Sequence, residues 1–313
     1  MDCQTVGFDQ VVVVDNGSTD GATELAEQRG ARVCHMGSNR GFAIAVNRGI
    51  RETSTPLLAI LNSDVVLERS WLERLVGAFR SNPSVWFATG KLRSAGNPRV
   101  LDGAWDAIGF AAAPLRIGWG QEDGPRFDRS KDIAIAPMTA AVFRTALFDR
   151  IGALDDQFES YLEDVDFGIR CAASGYRGCY VANAEATHVG SATLGRWNPK
   201  TARKIARNQV YLLAKHFKRA TIKRYLWPIL AGQILWIGLA ARHGAFLAAL
   251  SGKWAGLRRF QTLRAQTRLP DQVKLLELLN DGESQITSLT RGSLYWRLYH
   301  LFTGPWRWLR RSQ

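Results

Sequence analysis

The chain has 313 residues, of which 46% are hydrophobic, so it fits one large domain or two smaller ones with a real core, and a coreless chain is excluded. Its net charge of +13 is unevenly distributed: residues 1–185 carry 24 acidic and 19 basic side chains, whereas residues 186–313 carry 4 and 22. A near-neutral body joined to a strongly basic tail favours an anionic partner. Four cysteines without a C-x-x-C pair predict reduced thiols and no cysteine metal site.

The predicted elements begin with short apolar runs that alternate with helical stretches from residue 10 to about residue 181. Four consecutive valines predict a buried strand that ends at Asp15, and Gly30 ends the helix that follows. Further strands are predicted over residues 31–36 and 56–61, and further helices over residues 41–52 and 70–83. This alternation predicts an α/β fold, a doubly wound and mostly parallel sheet flanked by helices, with ligands at the carboxyl ends of the strands.

Two isolated polar features follow predicted strands. Asn62, Ser63 and Asp64 stand where the third predicted strand leaves the sheet, although a turn capped by the aspartate explains such a sequence as well. His188 follows a predicted strand over residues 176–184, and a lone histidine is more often a structural side chain than a metal ligand. Neither feature identifies a site by itself.

A cluster of acids begins the predicted helix that ends near Gly175. Glu163, Asp164 and Asp166 complement the helix dipole, and Asp166 is spaced to pair with Arg170 one turn later. Three carboxylates within four residues still repel one another, so one of them should have a raised pKa or a cationic neighbour. The cluster alone is compatible with helix capping and with chemistry.

Taken together, five segments resemble the family 2 glycosyltransferases, which have the GT-A fold. They are "VVVVDNGSTDG", "NRGFAIAVNRGI", "LLAILNSDV", "FRTALFDRIGALDDQFESYLEDVDFGIRCAASGY" and the closing His188. The resemblance implies an inverting, metal-dependent enzyme with Asp164 as the general base and Glu163 beside the acceptor hydroxyl. It also implies that Asp64 and His188 bind a divalent cation, Mg²⁺ or Mn²⁺. The residues implied to bind the nucleoside diphosphate sugar are Asp15, Asn39, Arg40, Gly41, Asn47, Asn62 and Ser63.

The sequence departs from the family pattern in two places. The family opens with a further strand and helix before the strand that ends at Asp15, and only nine residues precede Gln10 here, so we expect that strand and helix to be missing. The family's Gly-Ala ahead of Arg144 is replaced by Met138 and Thr139. Since that glycine lets the backbone approach the donor sugar, the pattern does not predict which sugar is transferred.

The basic tail predicts a second region, so that residues 1–198 form the catalytic domain and residues 199–313 a helical tail. Its longest uncharged run, Tyr225–Ala241, has 17 residues, is barely long enough to cross a bilayer and contains Pro228 and Gln233. We therefore expect interfacial or re-entrant helices on an anionic membrane surface. The alternative is a helical subdomain in which the tryptophans are core. The tail tryptophans are Trp227, Trp236, Trp254, Trp296, Trp306 and Trp308.

The tail also resembles those of bacterial family members that add rhamnose or similar deoxysugars to lipid-linked glycans. The expected function is transfer of a sugar to a glycan or polyprenyl-diphosphate-linked acceptor, for cell-surface polysaccharide synthesis, at the cytoplasmic face of the plasma membrane. Tryptophan between apolar and basic residues is typical of membrane interfaces. RNA binding stays an alternative for the tail because arginine and tryptophan also stack on bases, although we expect no nucleic acid partner. A second alternative is a non-catalytic, membrane-associated remnant that binds nucleotide or glycan.

Overall fold

The computed structural model describes residues 3–190, 197–290 and 294–311, and of residues 305–311 only the backbone. The chain divides into two compact units. The first unit contains residues up to Trp105, Gly118–Cys171 and Tyr176–Gly190. The second contains Asp106–Ile117, Ala172–Gly175 and the chain after Gly190.

The strands of the described residues form one seven-stranded sheet and two pairs. They are β1 (Val12–Asp15), β2 (Arg32–His35), β3 (Leu57–Leu61), β4 (Val65–Leu67), β5 (Val85–Ser94), β6 (Asn97–Gly103), β7 (Trp105–Ala107), β8 (Leu115–Ile117), β9 (Lys131–Ile133), β10 (Ala140–Arg144) and β11 (Arg177–His188). The large sheet has the order β3-β10-β5-β11-β4, with β6 paired to β5 and β9 paired to β11. The pairs are β1 with β2 and β7 with β8.

The prediction of a mostly parallel sheet is wrong, because the large sheet is mixed. Only β5 and β11 pair in parallel within it, whereas β10 runs antiparallel to both β3 and β5. The strands β4, β6 and β9 also pair antiparallel with their neighbours. A parallel neighbour requires a long crossover, usually a helix. The chain reaches β10 from β9 through a loop without a helix, so the pattern of alternating strands and helices fails there.

The direction of β10 also shows which strands end at the same edge of the sheet. Because β3 and β5 are both antiparallel to β10, they are parallel to each other, and β11 is parallel to β5. The three strands therefore end at the same edge of the sheet, which we call the carboxyl edge. Leu61, Ser94 and His188 are their last residues.

Helices cover the sheet and build the second unit. They are α1 (Ala22–Gln28), α2 (Phe42–Arg51), α3 (Trp71–Ser81), α4 (Ala146–Ile151), α5 (Glu163–Ala173), α6 (Pro199–His216), α7 (Arg219–Arg224), α8 (Leu226–Arg242), α9 (Phe246–Gln266), α10 (Gln272–Leu289) and α11 (Leu294–Arg311). The predicted amphipathic helix over residues 70–83 is confirmed as α3, whose Trp71, Leu75 and Phe79 are buried in the core of the first unit. The predicted helix over residues 41–52 and the strands predicted between residues 10 and 61 are confirmed within two residues at each end. The helix predicted to end at Gly30 is confirmed as α1.

The chain ahead of β1 contains no helix or strand over the described residues 3–11. Val6 and Phe8 pack instead against the core around α3, and the Thr5 backbone N–H donates to the Arg69 carbonyl oxygen over 2.9 Å. The sheet of β1 and β2 has no ladder hydrogen bond to the seven-stranded sheet. The expected absence of a family strand before β1 stays a prediction.

The second unit is helical after Gly190. Its helices α6 and α9 approach closely because α9 has Gly252 and Gly256 at the crossing; a Cβ at Gly252 would lie 2.2 Å from the Arg203 carbonyl oxygen. Trp296 is buried, as the core interpretation of the tail expects, but Trp227 and Trp254 are exposed. The side chains of Trp306 and Trp308 lie outside the described residues. Across the described ranges, no helix combines the length and apolar character that crossing a bilayer requires.

Candidate functional site

Three side chains meet at the carboxyl edge: Asp64, His188 and Asp102. His188 Nε2 lies 3.1 Å from Asp64 Oδ1, and His188 Nδ1 lies 2.7 Å from Asp102 Oδ2. The histidine side chain is 11% exposed and the two carboxylates are 28% and 19% exposed, respectively. The ring is therefore nearly enclosed between two acids, of which Asp64 is the more accessible.

The sheet register explains why residues so distant in sequence meet. His188 ends β11 and is paired on one side with Val65, which directly follows Asp64, and on the other side with Ser94 of β5. The Val189 backbone N–H donates to the Asp64 carbonyl oxygen over 3.0 Å, which fixes the turn between β3 and β4. Asp102 comes from β6, which pairs with β5 and follows it directly in the chain. Backbone pairing thus positions all three groups.

The geometry of Asp64 and His188 fits a hard divalent cation. A neutral imidazole has one N–H, and the shorter contact, to Asp102, is the natural place for it. In that tautomer the Nε2 lone pair lies 3.1 Å from Asp64 Oδ1, and either a proton on Nε2 or a cation bound by both atoms would stabilise the contact. Adjacent ligands of an octahedral site with bonds of 2.0–2.1 Å are about 3.0 Å apart. Among the described side chains, no group of three or more His, Cys, Asp or Glu residues is placed to hold a metal ion, so Asp64 and His188 are a pair of candidate ligands.

Residues after β1 and β2 form one hydrogen-bonded group, Asn16, Asn39, Arg40 and Gly41, which we call the donor-side patch. Asn16 donates to Asn39 Oδ1 over 3.3 Å and accepts the Arg40 backbone N–H over 2.8 Å. The Gly41 backbone N–H also donates to Asn39 Oδ1, over 3.1 Å. Asn39 and Arg40 are exposed and Gly41 is buried. Asn16, which the sequence pattern did not single out, thus links the strand end of β1 to the loop after β2.

Asp15 at the end of β1 is buried and accepts the Ser18 backbone N–H over 2.8 Å. Hydrogen bonds from the Ser18 hydroxyl and backbone hold the pKa of the Asp15 carboxyl below its usual value. Its second oxygen, Oδ2, lies 3.5 Å from His35 Nδ1. The carboxylate is therefore held charged, with one oxygen committed to the turn and the other directed toward the end of β2.

Gly41 joins the donor-side patch to the segment before α5. Its φ of +97° is accessible to glycine, and a Cβ there would lie 2.7 Å from the Glu159 carbonyl oxygen. The same carbonyl accepts the Ala43 backbone N–H over 2.9 Å, and the Ser160 hydroxyl accepts the Phe42 backbone N–H over 3.2 Å. The start of α2 is thereby docked onto the segment that precedes Glu163.

The other predicted donor-binding residues differ in exposure. Asn47 is buried, donates to the Leu154 carbonyl oxygen and Asp156 Oδ1 over 2.8 and 2.7 Å, and accepts the Leu154 backbone N–H over 2.9 Å. Its described hydrogen bonds therefore hold the chain ahead of α5 to α2. The Asn62 backbone N–H donates to the Thr139 carbonyl oxygen over 2.9 Å, and Ser63 is exposed beside Asp64.

The acid cluster begins α5 as predicted, and its members differ in environment. Asp166 is fully buried and accepts Arg170 Nε over 3.0 Å, so the predicted cationic neighbour is confirmed. Arg170 also donates to the Ile151 and Ala153 carbonyl oxygens, each over 2.8 Å. Glu163 is buried. Asp164 is partly exposed, and its Oδ1 accepts the Val165 backbone N–H over 2.8 Å.

The chain just before these acids is strained. Glu159, Tyr161 and Leu162 have φ values of 60°, 72° and 68°, a region that non-glycine residues seldom adopt. Each such residue costs on the order of 1 kcal/mol and persists only where its surroundings enforce it. Strain of this kind concentrates at functional sites, and here it sets the direction from which α5 begins.

The direction of α5 brings its acids to the carboxyl edge. Tyr176, just past the end of α5, packs edge-on against Trp86 at the start of β5, with 4.7 Å between ring centroids. The end of α5 thus lies at the opposite edge of the sheet, and its beginning points toward the carboxyl edge. The structure joins Asp64 to His188 by direct contact, whereas for Asp164 it gives only the direction of α5, which turns the start of the helix toward that edge.

Sequence reasoning missed Asp102 as a member of the site. It belongs to the segment "NPRVLDG", whose pattern predicts nothing beyond a turn or strand end. Its proximity to His188 depends on the pairing of β6 with β5 and of β5 with β11. Only the three-dimensional pairing could identify it.

Comparison with known proteins gives consistent results. Residues 4–152 match the family model described as Glycosyl transferase family 2. An "Uncharacterized glycosyltransferase" of Mycobacterium bovis is 30% identical over 54% of this chain and 69% of its own length. The "N-acetylglucosaminyl-diphospho-decaprenol L-rhamnosyltransferase" of Mycobacterium tuberculosis is 26% identical over 59% of this chain and 68% of its own length.

Two further matches concern longer proteins. The "Pre-mycofactocin glycosyltransferase" of Mycobacterium tuberculosis is 29% identical over 62% of this chain, and the match spans only 40% of that relative. A crystal structure of GalNAc-T7 with UDP, GalNAc and Mn²⁺ superposes with a TM-score of 0.55 and 12% identity, over 72% of this chain and 45% of that one. At this identity the structural likeness concerns the fold.

Proposed function

Because the chain belongs to glycosyltransferase family 2 and has the mixed sheet and flanking helices of a GT-A-like glycosyltransferase, we propose that it transfers a sugar from a nucleoside diphosphate sugar to an acceptor hydroxyl, with inversion at the anomeric carbon. The observation that supports this most strongly is the 3.1 Å contact between Asp64 Oδ1 and His188 Nε2 at the carboxyl edge of the sheet, toward which the start of α5 is directed. A carboxylate–imidazole pair and a separate accessible carboxylate are the groups that such a transfer requires.

The donor lies, in this proposal, across the ends of β1, β2 and β3. Asp15 Oδ2 accepts a hydrogen bond from the nucleobase, while the exposed Arg40 gives the donor-side patch a positive charge that faces the anionic donor. Gly41 lets the backbone come close, and the turn at Asn62 and Ser63 borders the diphosphate. Asn47 acts by holding the chain near Leu154, which is its observed contact.

Asp64 Oδ1 and His188 Nε2 are the atoms that would hold a divalent cation, Mg²⁺ or Mn²⁺, beside the donor diphosphate. When bound, the cation neutralises the charge that develops on the departing nucleoside diphosphate. The protein's part is to keep the two ligand atoms 3.1 Å apart by the pairing of β11 with β4. This fixed spacing favours an ion that demands regular geometry.

Asp164 acts as the general base. It is partly exposed at the start of α5, while Asp166 is committed to Arg170, so Asp164 is the more available carboxylate for a sugar hydroxyl. One base opposite one departing diphosphate gives in-line displacement and inversion, without a covalent sugar intermediate. Glu163, buried beside it, positions the acceptor hydroxyl.

The acceptor is proposed to be a glycan or a polyprenyl-diphosphate-linked glycan, and the sugar a rhamnose-like deoxysugar, in the synthesis of a cell-surface polysaccharide. The similarity to the N-acetylglucosaminyl-diphospho-decaprenol L-rhamnosyltransferase of M. tuberculosis supports this choice. An acceptor of that kind is anionic and resides in a membrane. The features of the second unit support a membrane location on independent grounds.

Two helices of the second unit each present an exposed apolar stripe. The exposed apolar residues on α8 recur every four residues, and those on α9 recur every three or four residues. Each set therefore lies on one face of its helix. Leu247 and Trp254 are 76% and 64% exposed. The stripe residues are Leu226, Leu230 and Ile234 on α8, and Leu247, Leu250, Trp254 and Leu257 on α9.

The two helices that carry the stripes contain basic but no acidic residues, since no Asp or Glu occurs between Glu185 and Asp271. Arg242, Arg258 and Arg259 are exposed on the same two helices. Apolar side chains beside exposed cations fit an anionic lipid interface better than water. We propose that the protein binds peripherally, through α8 and α9, to the cytoplasmic face of the plasma membrane.

Membrane binding is tested by flotation of the full chain with vesicles of phosphatidylethanolamine and phosphatidylglycerol. We expect Leu247→Glu with Trp254→Glu to abolish flotation, because it places charges in the apolar stripe. Leu25→Glu is the matched control, since Leu25 is also exposed but lies in the first unit. Equal flotation of all three proteins, or retention on RNA in place of vesicles, would refute the membrane surface.

The transferase proposal is tested by release of nucleoside diphosphate from a panel of nucleoside diphosphate sugars. Asp164→Asn should lower the rate by about 10²–10⁴-fold, the usual contribution of a general base, while thermal protection by the donor persists. Asp149→Asn, an exposed acid of α4, is the control for loss of a carboxyl group and should keep full rate. Equal loss of donor affinity and rate in Asp164→Asn would contradict its assignment as base.

A further inference from the structure

Asp102 is an acid at the carboxyl edge to which neither the family pattern nor the proposed mechanism gives a role. Its Oδ2 lies 2.7 Å from His188 Nδ1, closer than any other described contact of that ring. The pair is formed between two strands of the sheet and not between mobile loops. A contact this short between largely buried groups affects His188 Nε2, the ring nitrogen that faces Asp64.

The contact with Asp102 determines which nitrogen of the neutral His188 imidazole carries the single proton. A neutral imidazole carries its proton on either Nδ1 or Nε2, and the partner of one nitrogen decides the state of the other. A carboxylate at Nδ1 accepts an N–H bond and leaves Nε2 with its lone pair directed at Asp64. Carboxylate partners of this kind orient metal-binding histidines, and their loss lowers metal affinity about 10–100-fold.

We propose that Asp102 is a positioning residue that holds His188 in the Nδ1–H tautomer and in the orientation in which Nε2 and Asp64 Oδ1 bind one divalent cation. The inference rests on the proposed cation site, which it deepens. Asp102 itself touches neither the cation nor the donor. It acts only through the His188 ring.

The surroundings of the pair are built to keep it in place. Gly190 has a φ of +62°, and a Cβ there would lie 3.4 Å from His188 Nδ1 and 3.5 Å from Asp102 Oδ1, so its backbone covers the contact closely. On the other side, Leu101 is buried, and its backbone N–H and carbonyl oxygen bond to Gln121 and Gly120 over 2.9 Å each. The backbone next to Asp102 is therefore held in the sheet, close to His188.

A purely structural link between β6 and β11 is the competing explanation, and the tautomer distinguishes the two. The chain has five histidines, so ¹⁵N-histidine labelling gives a spectrum in which His188→Gln identifies the His188 signals. Long-range ¹H–¹⁵N spectra at pH 8 then report which nitrogen is protonated. We expect Nδ1–H in the wild-type chain and a shift toward Nε2–H in Asp102→Ala and Asp102→Asn.

Metal binding is measured on the same proteins by titrating the full chain with Mn²⁺ alone and following free Mn²⁺ by electron paramagnetic resonance. We expect Asp102→Ala and Asp102→Asn to weaken Mn²⁺ binding about 10–100-fold, and Asp132→Asn, an exposed acid of β9, to leave it unchanged. If Asp102→Ala does not fold, Asp102→Asn, which preserves the shape of the side chain, gives the result by itself.

The outcomes separate the inference from the function on which it rests. A wild-type chain that binds no Mn²⁺ overturns the cation site and the positioning role together. A wild-type chain that binds Mn²⁺, with variants of unchanged tautomer and affinity within twofold, overturns only the role of Asp102. An Nε2–H tautomer in the wild-type chain overturns it as well.

Discussion

The contact of Gly41 with Glu159 makes the substitution Gly41→Ala a sensitive test of how the donor side is joined to the base. Gly41 has φ +97° and ψ +161°, a conformation close to one that only glycine adopts readily. An added Cβ would lie 2.7 Å from the Glu159 carbonyl oxygen and 3.0 Å from its carbonyl carbon and Cα. All three are backbone atoms, so the chain itself must move.

The magnitude follows from two costs. The backbone conformation costs about 1–3 kcal/mol for a residue with a Cβ, and relief of the overlap costs a further ~1 kcal/mol or more. We therefore expect Gly41→Ala to lower the free energy of unfolding by about 2–4 kcal/mol. Because Glu159 begins the strained segment that leads to Asp164, the rate of nucleoside diphosphate release should fall more than donor affinity does.

Gly37→Ala in the same loop is the matched control. Gly37 has φ +75°, but a Cβ there would meet no heavy atom within 4 Å, so only the conformational cost of about 1 kcal/mol remains. Urea unfolding and initial rates with a donor sugar are measured on both variants and the wild-type chain. If Gly41→Ala lowers the free energy of unfolding and the initial rate no more than Gly37→Ala does, the contact between the start of α2 and Glu159 does not help to position Asp164, and the reasoning is refuted.

Two other predictions concern buried charge. Arg170→Met leaves the fully buried Asp166 without its cation and should lower the free energy of unfolding by about 3–5 kcal/mol in urea denaturation; a loss below about 1 kcal/mol would mean that water reaches Asp166. Lys253 donates to the amide oxygens of Gln209 and Gln233, and desolvation lowers its pKa to about 7 from 10.5. The unfolded chain therefore binds more protons than the native chain between these two values, and stability rises as the pH rises from 7 to about 10. Lys253→Met should remove most of that rise, and an unchanged pH profile would contradict the depressed pKa.

Local sequence signals predicted much of the first unit for identifiable reasons. Runs of β-branched and apolar residues mark β1 and β3, and the spacing of Trp71, Leu75 and Phe79 marks the buried face of α3. Asp64 and His188 were singled out by the family resemblance, together with their places at the ends of strands, where α/β sheets bind ligands. The structure places the two side chains in contact.

What the sequence did not predict depends on long-range pairing. The direction of β10 is set by its neighbours β3 and β5, which no local pattern encodes. Asp102 becomes part of the site only because β6 returns along β5. The positive φ values of Tyr161 and Leu162 occur without glycine, so the residue types give no signal of the strained approach to α5. In each case the tertiary structure imposes a geometry that the local sequence does not prefer.

The central claim is that Asp64 and His188 bind a cation that in turn holds the donor diphosphate, and thermal unfolding tests it most directly. The wild-type chain, Asp64→Ala and Asp164→Asn are heated with UDP, GDP or dTDP, with and without Mn²⁺. Specific binding to the native state raises the melting temperature. We predict that one nucleotide raises it only together with Mn²⁺ in the wild-type chain and in Asp164→Asn, and that Asp64→Ala shows no such rise. The same Mn²⁺-dependent rise in Asp64→Ala would contradict the account.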